Sequence, residues 1–323
     1  MKFLPKRNTM VFFEVTPNSF HQVSEVLSDR TRLSVNGWFR GPRCHQIAKE
    51  VEPFDLPIKF DDHIVDESNL RRWINPLYLT DEIQAQIKGK FENESQISLA
   101  DFIDPELFKQ VEAALQECQS WVRCGPYNRR SFEKLSDQSL PKMVKELIDV
   151  MTSEAMFLTL GNVTGLKLHP MNPDEEEGEE EDEEVEEEEE DDSEDDSDGD
   201  NCKPIVNDKT AKHKTFDPRC QLQIGKFSRG SYTLIHDFDG EVLDKDAKLD
   251  VYLHFGHPFE CQFQDGGFIE YVEKRGDDHL LTVEPKSNHL SVVYRDGKTL
   301  RFMKYLNNAH PGDFYQISLV FKE

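Results

Sequence analysis

Residues Met10–Phe39 read MVFFEVTPNSFHQVSEVLSDRTRLSVNGWF. The apolar run Met10–Val15, closed by Thr16-Pro17-Asn18, is the pattern of a buried strand entering a turn. A second strand is expected to carry His21 with Val23 and Val26, ahead of a polar turn at Ser28-Asp29-Arg30-Thr31. In the third, Arg32, Ser34, Asn36 and Trp38 share one face, while Leu33, Val35 and Phe39 share the other. An imidazole and a guanidinium on neighbouring strands put a metal-ligand type and a carboxylate-clamp type in one small site. A first strand this apolar needs sheet partners, and only Phe3-Leu4 stands ahead of it. The pattern therefore predicts either a partner chain that completes the sheet or an absent first part of a larger protein, and the second reading is preferred.

After Phe39 the chain becomes irregular as far as Leu70, where LRRWINPLYL (Leu70–Leu79) has the apolar content of an anchor. Thr80-Asp81-Glu82 predicts a cap and acidic first turn before Ile83–Phe91, and Asp104-Pro105-Glu106 opens a helix over Leu107–Cys118. Leu140, Met143, Val144, Leu147, Ile148 and Met151 recur at helical spacing, and Ser153–Leu160 continues apolar. From Cys220 onward the pattern changes to eight short strands separated by Gly, Asp, Asn and Pro turns. They span Leu222–Ile224, Tyr232–His236, Leu249–Phe255, Phe268–Val272, Leu280–Val283, His289–Tyr294, Leu300–Tyr305 and Phe314–Phe321. This predicts a mainly β chain with helices (α+β), built as a double-stranded β-helix of jelly-roll or cupin type.

Charge is concentrated in one place. Asp174–Asp200 holds 22 of the 64 acidic residues, and without it the formal net charge falls from −26 to −4. Such a tract repels itself and has little apolar surface to bury, so a disordered insert is expected over 174–215. It is either a solvated spacer or an electrostatic lure for basic partners. The six cysteines form no C-x-x-C pair, and reduced thiols are expected in a soluble, cytoplasmic and nuclear protein. No apolar run approaches a membrane span of ~20 residues. The basic patches Arg129-Arg130 and Lys209–Lys214 are short and sit beside strong negative charge, which disfavours nucleic-acid binding.

The end of the chain echoes its beginning. Leu290–Tyr294 reads like Met10–Phe13, Leu300–Tyr305 takes the place of Phe20–Val23, and Tyr315–Phe321 that of Leu33–Phe39. In this alignment Phe302 falls near His21 and Phe314 near Arg32, so the second copy keeps the strands and drops both polar groups. A faint metal motif remains at His236-Asp237, but the pair falls on opposite strand faces.

On these residues, His21-x-Val23-x-x-Val26, Arg32-x-Ser34 and Gly37-Trp38-Phe39, the chain resembles the end of the catalytic domain of 2-oxoglutarate- and iron(II)-dependent prolyl hydroxylases. Val11–Val15, Trp73-Ile74-Asn75-Pro76, Thr164–Leu168, Tyr232–Asp237, Gly266-Gly267-Phe268 and Val293–Asp296 are similar to the subgroup that 3-hydroxylates a proline of a small-subunit ribosomal protein. In that subgroup a catalytic β-helix precedes a second, metal-free copy. The resemblance implies Fe(II), 2-oxoglutarate and ascorbate as cofactors, and a ribosomal protein as substrate. It makes His21 the distal iron ligand and Arg32 the clamp on the far carboxylate of 2-oxoglutarate, with Ser34 adding a hydrogen bond. The other two iron ligands would precede Met10, where MKFLPKRNT holds neither His nor Asp. The expectation is an amino-terminally truncated chain that is inactive by itself. Its domains are expected at 1–42 (last strands of the catalytic β-helix), 43–79 (linker) and 80–323 (second, metal-free β-helix with the acidic insert). The competing reading is a non-catalytic interaction module that recruits a basic, ribosome-linked client.

Overall fold

The computed structural model describes residues 3–4, 6–15, 19–39, 41, 67–136, 140–172, 218–235, 247–256, 263–274 and 278–322. The acidic insert and His236-Asp237 lie outside them.

Helix α1 (Ser68–Trp73) buries Leu70 and Trp73, and a 3-10 turn follows at Pro76–Leu79. Leu70 and Trp73, spaced i and i+3, share one helical face, and Ile74, the extended residue that ends the helix, is buried beside them. Ile74 also bridges Ile103, and Asn75 N–H donates to the Phe102 carbonyl at 2.8 Å. The stretch read as an anchor, Leu70–Leu79, thus packs into the folded unit together with the residues from 80 onward.

Four more helices and a first strand precede the carboxy-terminal sheets: α2 (Asp81–Glu94), β1 (Gln96–Leu99), α3 (Pro105–Glu117), α4 (Lys142–Met151) and α5 (Glu154–Thr164). The Asp104 carboxylate caps α3 by accepting from the Glu106 and Leu107 amides, with Pro105 in the first turn, as the sequence predicts. Two strands that the sequence pattern misses, β2 (Trp121–Cys124) and β3 (Arg130–Leu135), lie between α3 and α4. Then come β4 (Arg219–Phe227), β5 (Tyr232–Thr233), β6 (Lys248–Phe255), β7 (Ile269–Glu273), β8 (His279–Val283), β9 (Leu290–Arg295), β10 (Thr299–Met303) and β11 (Phe314–Lys322).

The strands form two antiparallel sheets, the double-stranded β-helix expected from the sequence. The large one runs β1-β9-β6-β11-β4-β3-β2, with β5 added against β3; the small one runs β10-β7-β8. β11 is central, pairing with β4 from Phe314↔Phe227 to Lys322↔Arg219 and with β6 along its other edge. Its alternation separates two cores. Tyr315, Ile317, Leu319 and Phe321 enter the layer between the large sheet and the helices, where Phe157 meets Phe321 edge-on at 4.8 Å. Phe314 points the other way, into the space between the sheets, with Phe227, Tyr252, Ile269 and Tyr271.

The amino-terminal stretch departs from expectation. Described residues between 3 and 41 form no helix or strand, although a bend at Ser28–Arg30 falls on the predicted turn. Phe12 is 84% exposed and Trp38 75%. The matching carboxy-terminal segments do form β9, β10 and β11. Alternation states which face a strand buries, not what covers that face. Among the described residues no strand pairs with Met10–Phe39, and a strand needs that pairing to persist.

Candidate functional site

The residues singled out from the sequence do not converge. His21, Arg32 and Ser34 are all exposed. The His21 ring stands edge-on to Phe13 at 4.8 Å, and its Nδ1 lies 3.2 Å from the Ser19 carbonyl. Among the described residues no hydrogen bond or ion pair joins these three. Nor does any group of three or more His, Cys, Asp or Glu side chains there have the placement of a metal site. One exposed imidazole does not fit an iron centre, which needs at least two further protein ligands.

At the matching positions the second β-helix carries aromatic side chains. Phe314, aligned with Arg32, is fully buried and stacks on Phe227 at 5.3 Å. Phe302, aligned with His21, lines a cavity between the sheets.

That cavity is polar for a structural reason. Along β6 the residues Leu249, Val251, Leu253 and Phe255 face the helices, so Asp250, Tyr252 and His254 face the barrel interior. Asp250 has no exposed surface, yet it is met on several sides. Arg295 Nε donates to Oδ2 at 2.7 Å and Nη2 to Oδ1 at 3.2 Å, while Arg301 Nη1 lies 2.8 Å from Oδ1. The Tyr271 hydroxyl adds a 3.0 Å bond and is itself 2.8 Å from the Tyr252 hydroxyl, which also accepts from Arg301.

Burial by itself would raise the Asp250 pKa; the charges of Arg301 and Arg295, with hydrogen bonds from Arg295 and Tyr271, outweigh it and hold the carboxyl below its ordinary range. Burial pushes the Tyr252 phenol up to about 12, against the opposing pull of Arg301. The cluster therefore carries two guanidiniums against one carboxylate, a net positive charge inside the barrel.

The cavity opens beside this cluster and has a volume of about 260 Å³. Arg129, Arg130, Arg301, Gln221, Gln223 and Gln316 supply its polar wall, and none of its described lining residues is acidic. Gln316 is 6% exposed, and its side-chain oxygen has no hydrogen-bond partner among the described residues. Gly225, opposite Gln316 in the β4–β11 register, leaves room for the Phe227 ring that a Cβ would strike.

Sequence reasoning missed this cluster because its members lie far apart in the chain. The available signal was Asp250-x-Tyr252-x-His254, three polar groups alternating with Leu249, Val251, Leu253 and Phe255 on a strand with no solvent face.

Comparison with known proteins adds a second line. Residues 65–323 match the family described as "Oxoglutarate and iron-dependent oxygenase degradation C-term", and residues 1–40 match the 2OG-Fe(II) oxygenase superfamily. The chain is 39% identical to the prolyl 3-hydroxylase OGFOD1 of Mus musculus over 330 residues, covering 94% of this chain and 59% of that protein. It is also 39% identical to the Xenopus laevis protein of the same name (94% and 56% covered), and 26% identical to prolyl 3-hydroxylase sudestada1 of Drosophila melanogaster (100% and 56%). The chain therefore spans somewhat over half the length of these relatives.

Proposed function

The chain belongs to the oxoglutarate- and iron-dependent oxygenases, and on that premise we propose that it forms the larger part of a prolyl 3-hydroxylase whose substrate is a small-subunit ribosomal protein. The second β-helix is its metal-free half. Fe(II), 2-oxoglutarate and ascorbate serve the catalytic half, to which this chain contributes His21 as one iron ligand, Arg32 as the carboxylate clamp and Ser34 as a further donor. The enzyme works in the cytoplasm and the nucleus. The observation that carries this reading is the 39% identity to the mouse prolyl 3-hydroxylase over 94% of the chain, with the oxygenase match at residues 1–40 falling on the His21…Arg32…Trp38 run. Among the described residues no helix is long and apolar enough to cross a membrane.

Incubation with Fe(II), 2-oxoglutarate, ascorbate and a prolyl peptide tests it. The chain alone is expected to release no succinate above background, because one imidazole does not hold iron. A chimera joining it to the portion of the mouse relative that it does not match is expected to release succinate and hydroxylate the peptide. Arg32→Ala in that chimera should abolish both, and retained turnover would refute the clamp role.

A second reading, an interaction module for a basic client, is favoured by the 22 acidic residues of Asp174–Asp200. Capture of basic ribosome-linked proteins should fall when the tract is deleted and as salt rises; equal recovery with and without it removes this reading.

A further inference from the structure

We propose that the cavity of the second β-helix is a binding site for a small hydroxydicarboxylate. This goes beyond the hydroxylase reading and does not rest on it, because the cavity belongs to the half that has lost both the iron-ligand and the clamp positions.

Three observations define the ligand class. Among the described residues the wall is cationic and holds no acidic side chain: Arg129, Arg130 and Arg301 line it, and the Asp250 carboxylate is buried behind Arg301 and bonded on both oxygens. A guanidinium has five N–H donors, more than the Asp250, Tyr252 and Tyr271 oxygens facing Arg301 take up. Asp250 also fixes the guanidinium from behind, so its remaining donors are preorganised for a carboxylate.

Gln316 is nine-tenths buried, and among the described residues its Oε1 meets no donor. A buried acceptor in this state is costly, and a ligand hydroxyl would satisfy it. Gln221, Gln223 and Ser318, on the same interior face of β4 and β11, supply neutral groups for the rest of such a molecule.

Size sets the third limit. The cavity's volume of about 260 Å³ falls just under the usual range for ligand pockets, which favours a small diacid over a larger ligand.

Calorimetric titration of the full chain at physiological salt, where the acidic tract is screened, decides the matter. The probes are L-malate, succinate (two carboxylates, no hydroxyl) and sulfate. L-malate is expected to saturate one site and to bind about tenfold more tightly than succinate, the worth of one hydrogen bond of ~1.4 kcal/mol. Sulfate is expected not to saturate. Gln316→Leu should erase the preference for malate over succinate, and Arg129→Gln should weaken both diacids about tenfold. Absence of saturable malate binding, sulfate binding as tight as malate, or unchanged affinities in both variants would overturn the proposal. Should a variant melt early, the comparison of malate with succinate on the unaltered chain still decides it.

Discussion

Arg301 Nη1 lies 2.8 Å from Asp250 Oδ1, and that carboxylate has no exposed surface. A pair in this setting is a poor source of net stability but a severe loss when halved, because the remaining charge stays desolvated. Asp250→Asn would leave Arg295 and Arg301 facing a neutral amide between the sheets. With the two arginine side chains still 17% and 29% exposed, the expected cost is about 3 kcal/mol, the low end for a broken buried pair. Urea unfolding of both proteins measures it.

The same cluster sets both ends of the pH profile. Asp250 titrates lower folded than unfolded, so its stabilisation is complete above the ordinary 3.8 and disappears as pH falls through the depressed folded value. The stability gap between the native chain and Asp250→Asn should stay level at neutral pH and close only in acid. Tyr252 behaves in the opposite sense. Its phenol rises from 10.0 to about 12, so its contribution is present below 10 and is lost as pH climbs through 12. Tyr252→Phe should flatten that alkaline decline in thermal melts.

Trp73 is 1% exposed in a segment that reads from sequence as linker. Trp73→Ala should destabilise the folded unit by about 3–5 kcal/mol. A chain starting at residue 67 should unfold cooperatively in urea, whereas one starting at 80 should melt far lower.

Gly161 sits inside α5 against Asn172, whose Nδ2 donates to the Leu158 carbonyl at 3.1 Å and to Asn162 Oδ1 at 3.0 Å. A methyl group at 161 would fall within the Asn172 amide. Gly161→Ala, ordinarily favourable in a helix, should here cost about 1–3 kcal/mol. A raised melting temperature would show that the chain after α5 can move aside.

Much of this fold was legible wherever local pattern and tertiary setting agree. The period-two runs at Leu249–Phe255 and Phe314–Phe321 became β6 and β11, and the Asp104-Pro105 cap became the start of α3. β1, β2 and β3 were not legible. QISL, WVRC and RSFEKL are short and do not alternate cleanly, and they are strands because β9 holds β1, β4 holds β3 and β3 holds β2. Met10–Phe39 failed in the reverse direction, having the pattern without the partners. Of the interior site, only the alternating polar face of β6 was written locally. Arg295 and Arg301 reach Asp250 across 45 or more residues, a pairing that composition and periodicity do not encode.

The central place of β11 has a bearing on how the protein comes into being during translation. Of all the strands in the large sheet, this one leaves the ribosome last. Until it does, β1-β9-β6 and β4-β3-β2 are two separate half-sheets, each with an unpaired edge reserved for the same segment. The nascent chain therefore carries both sticky edges from the completion of β6 at Phe255 until β11 begins at Phe314, and closes them in one late step. Premature termination between Arg295 and Phe314 would not yield a smaller domain, but two halves without their seam.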